Sequence, residues 1–403
     1  MNHTNNELAR TTLARTTLAL PFAVEEFRVR LTAVQQKMSR AGVEALFVIS
    51  QSNISYLTGY QGNSAYIPQG MLVTLQAAEP IMILREMDVP CATATTWVAD
   101  ENIVAYDERV LGLSVLPVWR EIARIILGRT RATRLAFERN GPGLSVDAHT
   151  ALTDALGDVE LVNADGWLSE IRAVKSSAEL AVMADAARIG EQALLAGIDR
   201  IAVGVPESEV GGTIVGKLCS GLPGKPGTAP FDAVTMPVTP FASAPHLNWS
   251  NRVYAPNSQT NFELGAFRYR YCAAVARTVF LGKPEARLLE IDTIVRDSFE
   301  ATLPALRTGA RCADVYATFW KAFAGRGVRK ESRIGYGIGI DWTEGSYSLQ
   351  RDDQRELRAD STLHLILGIW EKEEGYVFSE TIRVTDRGAQ TFCALPRQLI
   401  VID

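Results

Sequence analysis

Three residues of this 403-residue chain stand in settings where acid–base chemistry is a natural use of their side chains. His246 lies in Ser243-Ala244-Pro245-His246-Leu247-Asn248-Trp249-Ser250. An imidazole titrates near neutrality, which suits a proton shuttle between an attacking water and a leaving nitrogen. The plain alternative is a histidine satisfied by backbone groups in a loop. Glu263 sits between Phe262 and Leu264, and Glu380 lies between Ser379 and Thr381 on a segment bracketed by Phe378 and Ile382. Side chains alternate along a strand, so each carboxylate faces away from its neighbours. Burying one in such a segment is costly unless it is paired. The alternatives are an edge-strand Glu in solvent, or a buried ion pair with an arginine such as Arg277.

The elements that must position these residues can be read from periodicity. Phe27, Leu31, Val34 and Met38 recur at helical spacing over residues 24–40, and Ala41-Gly42 ends that helix. Residues 45–49, 71–75, 80–84, 103–106 and 135–138 read as short strands, with an amphipathic helix over 119–127. Residues 54–60 lead into a turn rich in Gly, Asn and Ser. Strands alternating with helices predict a mixed α/β domain over 21–165, preceded by a disordered arm over 1–20 that carries a short Ala-Arg-Thr-Thr-Leu duplication.

At the start of the second domain, 166–403, Ser176 or Ser177 is placed to cap a long helix, with Glu179 in its first turn. Helices over 207–219, 286–303 and 312–325 then alternate with strands over 261–266, 273–280, 362–370 and 378–385. Helices outside a mostly antiparallel sheet is the expected architecture. The glycines of Gly335-Tyr336-Gly337-Ile338-Gly339 read as strand or turn, because no helix opens there to make a nucleotide loop.

Composition narrows the function classes. Hydrophobic residues make up 47% and charged residues 22%, a soluble globular profile, and the net charge of -5 offers no nucleic-acid surface. No apolar run is long enough to span a bilayer. Five cysteines without a CxxC spacing argue against a disulfide framework or a zinc ribbon, and fit a reducing cytoplasm.

Four phrases in order resemble the creatinase and aminopeptidase, or pita-bread, family. They are Ile171-Arg172-Ala173-Val174-Lys175-Ser176, then Asn261-Phe262-Glu263-Leu264-Gly265-Ala266 with Tyr271 and Arg277-Thr278-Val279-Phe280. Ile334-Gly335-Tyr336-Gly337-Ile338-Gly339-Ile340 and Ser379-Glu380-Thr381-Ile382-Arg383-Val384-Thr385 complete the set. The resemblance implies an α/β N-terminal domain followed by an α+β pita-bread domain, a curved antiparallel sheet covered by helices. The family's five metal ligands correspond here to Glu263, Ala274, Tyr336, Ile366 and Glu380. Ala274 and Ile366 offer no ligand atom, so neither metal nor other cofactor is expected.

His246 stands where the family keeps a His near its reaction centre. The local phrases around His246, Glu263, Asp341-Trp342-Thr343-Glu344 and Ser346-Tyr347-Ser348-Leu349 are similar to ectoine hydrolases, although Cys272 stands where that pattern has a His.

The resemblance makes His246, Glu263 and Glu380 the expected catalytic set. The two carboxylates would clamp an amidinium or guanidinium, as a mirror of Arg–carboxylate recognition. Tyr336 offers a phenol to an oxyanion or a substrate carboxylate, or else packs as an aromatic. Trp342 and Glu344 are candidates to line the pocket, with a plain loop the alternative for Glu344. Tyr60 and Tyr66 flank a loop that in relatives closes over the neighbouring subunit's site; a surface turn is the alternative. Arg270 and Arg333 are candidates for a substrate carboxylate. The expected activity is hydrolysis of a C–N bond in a small amidine, with ectoine first, by a homodimer. The rival readings are a creatinase-like amidinohydrolase, a non-catalytic binding protein and, last, a metal-dependent prolidase.

Overall fold

The computed structural model describes residues 18–403 except 113, 142–143, 230–233 and 372–373. It divides into two compact units, Met1–Ile171 and Arg172–Asp403. Up to residue 17 the expected arm lies outside the described residues. Leu18 is already tied down, its N–H donating to the Ala94 carbonyl at 2.8 Å. No described helix is long and apolar enough to cross a membrane.

The first unit is built on six strands, β1 (Ala45–Val48), β2 (Gly70–Thr74), β3 (Ile81–Arg85), β4 (Ile103–Tyr106), β5 (Arg134–Phe137) and β6 (Glu160–Asn163). Their order is β4-β3-β2-β1-β5-β6, antiparallel around β2 and parallel elsewhere. Helix α1 (Val24–Ala41) buries Phe27, Leu31, Val34 and Met38, the stripe expected from spacing. It stops at Gly42, whose left-handed φ of 63° lets its N–H close back on the last turn. Residues 51–58 form a helix, α2 (Gln51–Thr58), where the sequence had suggested only an approach to a turn. Its polar residues hid it. The Glu138 carboxylate accepts from the N–H groups of Ile49 and Ser50, both at 2.7 Å, and so satisfies the donors at that helix's start. Helices α3 (Val89–Thr95), α4 (Leu116–Arg129), α5 (Val146–Leu156) and α6 (Trp167–Arg172) complete the sequence of this half.

The second unit opens on the predicted cap. The Ser176 side chain accepts from the Glu179 N–H, and the Glu179 carboxylate accepts from the Ser176 N–H, a reciprocal capping box. Helices α7 (Ser177–Ile198), α8 (Glu207–Ser220), α9 (Ala286–Thr302) and α10 (Cys312–Phe323) pack on a nine-stranded sheet. Its central strands are β8 (Ser258–Arg268), β9 (Tyr271–Leu281), β12 (Thr362–Glu371) and β13 (Glu374–Thr385). The short strands β7 (Val234–Thr235), β10 (Gly335–Gly337) and β11 (Glu344–Ser348) extend the order to β11-β10-β12-β13-β9-β8-β7. Strands β14 (Gly388–Thr391) and β15 (Ile400–Ile402) pair with β13 and β9. Every pair is antiparallel except β15 with β9.

The register decides what each face of this sheet does. Glu263 lies opposite Ala276, which lies opposite Ser379, which lies opposite Ile366. Tyr336 lies opposite His364, and His364 opposite Thr381. Opposed residues share a face, so all of these side chains project to one side. Residues one step along, including Phe262, Leu264, Val275, Phe378, Leu365 and Ile382, project to the other and join the apolar core under the helices.

The β8–β9 hairpin closes tightly. Arg268 and Tyr271 are paired, leaving a two-residue turn at Tyr269 and Arg270 with φ of 48° and 69°. Such a turn favours Asn-Gly, and a larger side chain in this left-handed region costs about 1 kcal/mol per residue.

Candidate active site

A cavity of about 580 Å³ opens on the polar face of the second unit's sheet. Its lining includes His246, Glu263, Arg270, Tyr336, Asp341 and Trp342. Four of the expected site residues, His246, Glu263, Tyr336 and Trp342, therefore meet at one place.

His246 reaches the cavity on a loop stitched to β8. The Pro237 carbonyl accepts from the Asn261 N–H at 3.1 Å, and Thr235 pairs with Glu263. Further along, the Asn261 side-chain amide donates to the Ala242 carbonyl at 2.7 Å. The Asn261 side-chain oxygen Oδ1 accepts from Thr278 Oγ1 at 2.7 Å and from Gln259 Nε2 at 3.1 Å. The loop returns with the Met236 N–H donating to the Leu247 carbonyl at 2.8 Å, which fixes the backbone beside His246. Sequence reasoning gave Asn261 no role of its own; its one signal was its period-two spacing from Glu263.

Glu263 is half-buried beside apolar Phe267 and Ile340, and burial alone pushes its carboxyl up to about 7. It exchanges a proton near neutral pH, as a general base or acid must.

Behind it runs a chain of hydrogen bonds. The Trp342 indole N–H donates to the Tyr336 hydroxyl at 3.1 Å, and that hydroxyl lies 3.1 Å from His364 Nδ1. His364 Nε2 lies 2.7 Å from Ser379 Oγ. The indole is a donor only, so a consistent assignment has Tyr336 donating to Nδ1 and the imidazole Nε2–H donating to Ser379. Burial, with Arg333 nearby, pushes the His364 pKa down to about 3, so this imidazole is neutral. Burial, reinforced by Glu263, lifts the Tyr336 phenol to about 12, so it stays a donor. Sequence reasoning gave His364 no role. Its one signal was a histidine alternating with leucines, on the same face as Tyr336.

Trp342 lies flat against the sheet because β8 has a glycine there. A Cβ on Gly265 would sit 2.5 Å from the Trp342 ring and 3.1 Å from Cys272 Sγ. Gly265→Ala is expected to tilt the indole off the sheet and raise KM roughly fivefold, with far-UV circular dichroism unchanged. An unaltered KM would remove Trp342 as a wall of the site.

Three expected site residues are corrected. Glu380 projects to the opposite face from Glu263 and does not join it. Both it and Arg277 are fully buried, and Arg277 Nη2 donates to Glu380 Oε1 at 2.5 Å. Burial is the larger influence on Glu380 and raises its pKa against the pull of Arg277. The two-carboxylate clamp is therefore absent, and Ser379 occupies the site-facing position. Glu344 is also buried, bonded to Arg172 at 2.5 Å and Lys175 at 3.0 Å, and its Oε1 accepts from the Ile340 N–H at 3.1 Å. Burial works against its charge, but Arg172 and Lys175 hold its pKa below the usual range. It shapes the turn that presents Asp341 and Trp342 instead of lining the cavity. Tyr60, in the first unit, is fully buried, its hydroxyl 3.5 Å from Ser64 Oγ, which withdraws it from substrate contact. Tyr66 in the same unit is exposed, and its hydroxyl accepts from Arg85 at 3.1 Å.

The described residues on the site face do not fit a divalent cation. Glu263 supplies one carboxylate, while Ala274, Ile366 and Ser379 supply none, and His364 is engaged at both nitrogens. Among the described residues no group of three or more His, Cys, Asp or Glu is placed to hold a metal.

Comparison with known proteins agrees with this architecture. Residues 181–386 match metallopeptidase family M24, and residues 30–174 match the creatinase/prolidase N-terminal domain. The chain belongs to family M24 and is a hydrolase of the pita-bread fold. It is 35% identical to the "uncharacterized hydrolase/peptidase y4tL" of Sinorhizobium fredii, over 94% of this chain and 98% of that one. It is 29% identical to the ectoine hydrolase of Halomonas elongata, over 95% and 99% of the two chains. In fold it is similar to the X-Pro aminopeptidase of Thermotoga maritima, with a TM-score of 0.80 and 19% identity over 92% of this chain and 99% of that one.

Proposed function

We propose that this hydrolase opens a C–N bond in a small amidine, with the ring of ectoine the first substrate to test, and does so without a metal. The observation that carries the reading is the Glu263 carboxylate, raised to about 7 in a cavity it shares with His246, on a face where two positions that correspond to the family's ligands hold Ala274 and Ile366. The likeness to an ectoine hydrolase across almost the whole chain supports the substrate class.

In this mechanism the cationic amidine lies against Glu263 and the Trp342 ring. Glu263 takes a proton from water as its oxygen bonds to the amidine carbon, giving a tetrahedral centre. Tyr336 meets that centre through its ring, since its one O–H is engaged by His364 Nδ1. His246, starting as the imidazolium, protonates the departing nitrogen and takes the hydroxyl proton of the tetrahedral centre as the C–N bond breaks; the ring becomes an open-chain amide with a free amine, which carries off the proton held by Glu263. One carboxylate with one imidazole replaces the clamp of two carboxylates expected from sequence. A homodimer, with the Tyr66 loop serving a neighbouring site, belongs to the same proposal and is tested by sedimentation velocity.

The direct test follows ectoine by NMR with chelator-treated protein. Ring opening that survives the chelator is expected. Turnover restored only by added divalent metal, or seen only with X-Pro dipeptides, would overturn the reading.

A further inference from the structure

Two polar groups of the cavity face each other across a strand pair. Thr235, on β7, lies directly opposite Glu263, on β8, and both line the cavity. Opposed residues share a face, and their Cβ atoms stand about 4.5–5.5 Å apart. The neighbouring pair, Val234 and Leu264, turns the other way into the apolar core, which pins the register. Thr235 and Glu263 are each half-buried.

Neither of these side chains makes a hydrogen bond or an ion pair with a described residue. Other threonines of the same sheet spend their hydroxyls inside the fold: Thr278 donates to Asn261 Oδ1, Thr362 to the Ile338 carbonyl and Thr381 to the Ala274 carbonyl. Thr235 keeps its hydroxyl for the cavity. A hydroxyl and a carboxylate placed side by side but not bonded to each other suit one bridging water, with a hydrogen bond of about 2.8 Å to each.

A general base has to aim the water as well as deprotonate it. With one hydrogen on Glu263 and the other on Thr235 Oγ1, the water's lone pairs stay free and their direction is set. The same backbone holds the third group of the site. The N–H of Met236, the residue after Thr235, donates to the Leu247 carbonyl at 2.8 Å, next to His246.

We propose that Thr235 is a water-positioning residue, its hydroxyl and the Glu263 carboxylate holding the attacking water between them. The water's role rests on the hydrolytic reading above; its place rests on the strand register. As a water lone pair bonds to the amidine carbon, the C=N π pair withdraws onto nitrogen and Glu263 takes one hydrogen. The oxygen keeps the other until His246 takes it, and Thr235 neither gains nor loses a proton.

The first test is a crystal structure of the full chain at pH 8. It is expected to show an ordered water within hydrogen-bond distance of both Thr235 Oγ1 and a Glu263 carboxylate oxygen. Thr235→Val has the same shape without the hydroxyl and should lose that water. In turnover, Thr235→Val should lower kcat about tenfold and move KM by less than about twofold, and Thr235→Ser should recover most of the rate. The pH at which kcat/KM levels off should stay near 7 in both variants, since burial of Glu263 sets it. A wild-type crystal without the water, a Thr235→Val crystal that keeps it, or a Thr235→Val enzyme with unaltered kcat would each overturn the assignment. Ectoine turnover by the wild type is read separately. If ectoine is untouched while the water is present and is lost in Thr235→Val, the amidine reading falls and the water site stands.

Discussion

Replacing Glu263 with Gln is expected to abolish turnover and, in the same protein, to raise the melting temperature above neutral pH. The two effects have one cause. Burial lifts the Glu263 carboxyl from an ordinary 4.5 to about 7. The unfolded chain ionises this group near 4.5, whereas the folded chain holds its proton until about 7. Below 4.5 the group therefore costs the fold nothing, and stability drains away as pH rises through 7. Fully developed at pH 8, the loss amounts to about 3 kcal/mol. Glutamine has the same shape and never ionises, so the variant escapes it. Melting curves of wild type and Glu263→Gln should nearly coincide at pH 5 and separate at pH 8, with the variant the more stable. In the wild type, kcat/KM should rise with pH and level off above about 7, as the free enzyme's base loses its proton. An active Glu263→Gln, or one that melts below wild type at pH 8, would sink the role given to this residue.

Glu380→Leu should behave in the opposite way, destroying stability without touching chemistry. Its partner Arg277 is wholly buried, donating to Glu380 and to the backbone carbonyls of Ser379, Pro396 and Ala276 at 2.8 Å each. Removing the carboxylate strands a guanidinium in the core, which costs about 3–5 kcal/mol. The double variant Arg277→Met with Glu380→Leu should regain most of that loss, since neither charge remains. Glu380→Gln keeps an acceptor for Arg277, so enough protein should fold to measure rates. Its kcat per folded molecule should stay within about threefold of wild type, as for a group outside the site. A stable but inactive Glu380→Gln would return this residue to the catalytic set.

The contrast between these glutamates marks where the sequence was informative. Long amphipathic helices and apolar strands were visible because burial repeats at fixed periods, and α1, α8 and α9 begin and end close to where spacing put them. The polar, wholly buried α2 was not, because most of its residues are polar and the Glu138 carboxylate that holds its start comes from the end of a neighbouring strand far along the chain. Glu263 and Glu380 look alike locally, each a carboxylate in an apolar strand. Which face a strand residue takes depends on register with its neighbours, and a shift of one position exchanges core for cavity. The sequence offered a buried pair with Arg277 as the alternative for Glu263; the register gives that pair to Glu380. His364 was hidden for a related reason. Its partners Tyr336 and Ser379 come from separate strands, and only the assembled sheet makes a chain of them.

The alternation of faces along β8, β9, β12 and β13 has a consequence for how such a protein diverges. The Arg277–Glu380 lock and the aliphatic residues around it project backward, whereas Glu263, Ala274, Ile366 and Ser379 project forward. Substitutions at forward positions change what the sheet presents to a solute and leave its foundation intact. An ancestor could trade ligand atoms for methyl and hydroxyl groups one at a time, each step leaving a folded intermediate for selection to act upon. Chemistry and architecture are thus inherited as separable traits, written on alternate residues of the same strands.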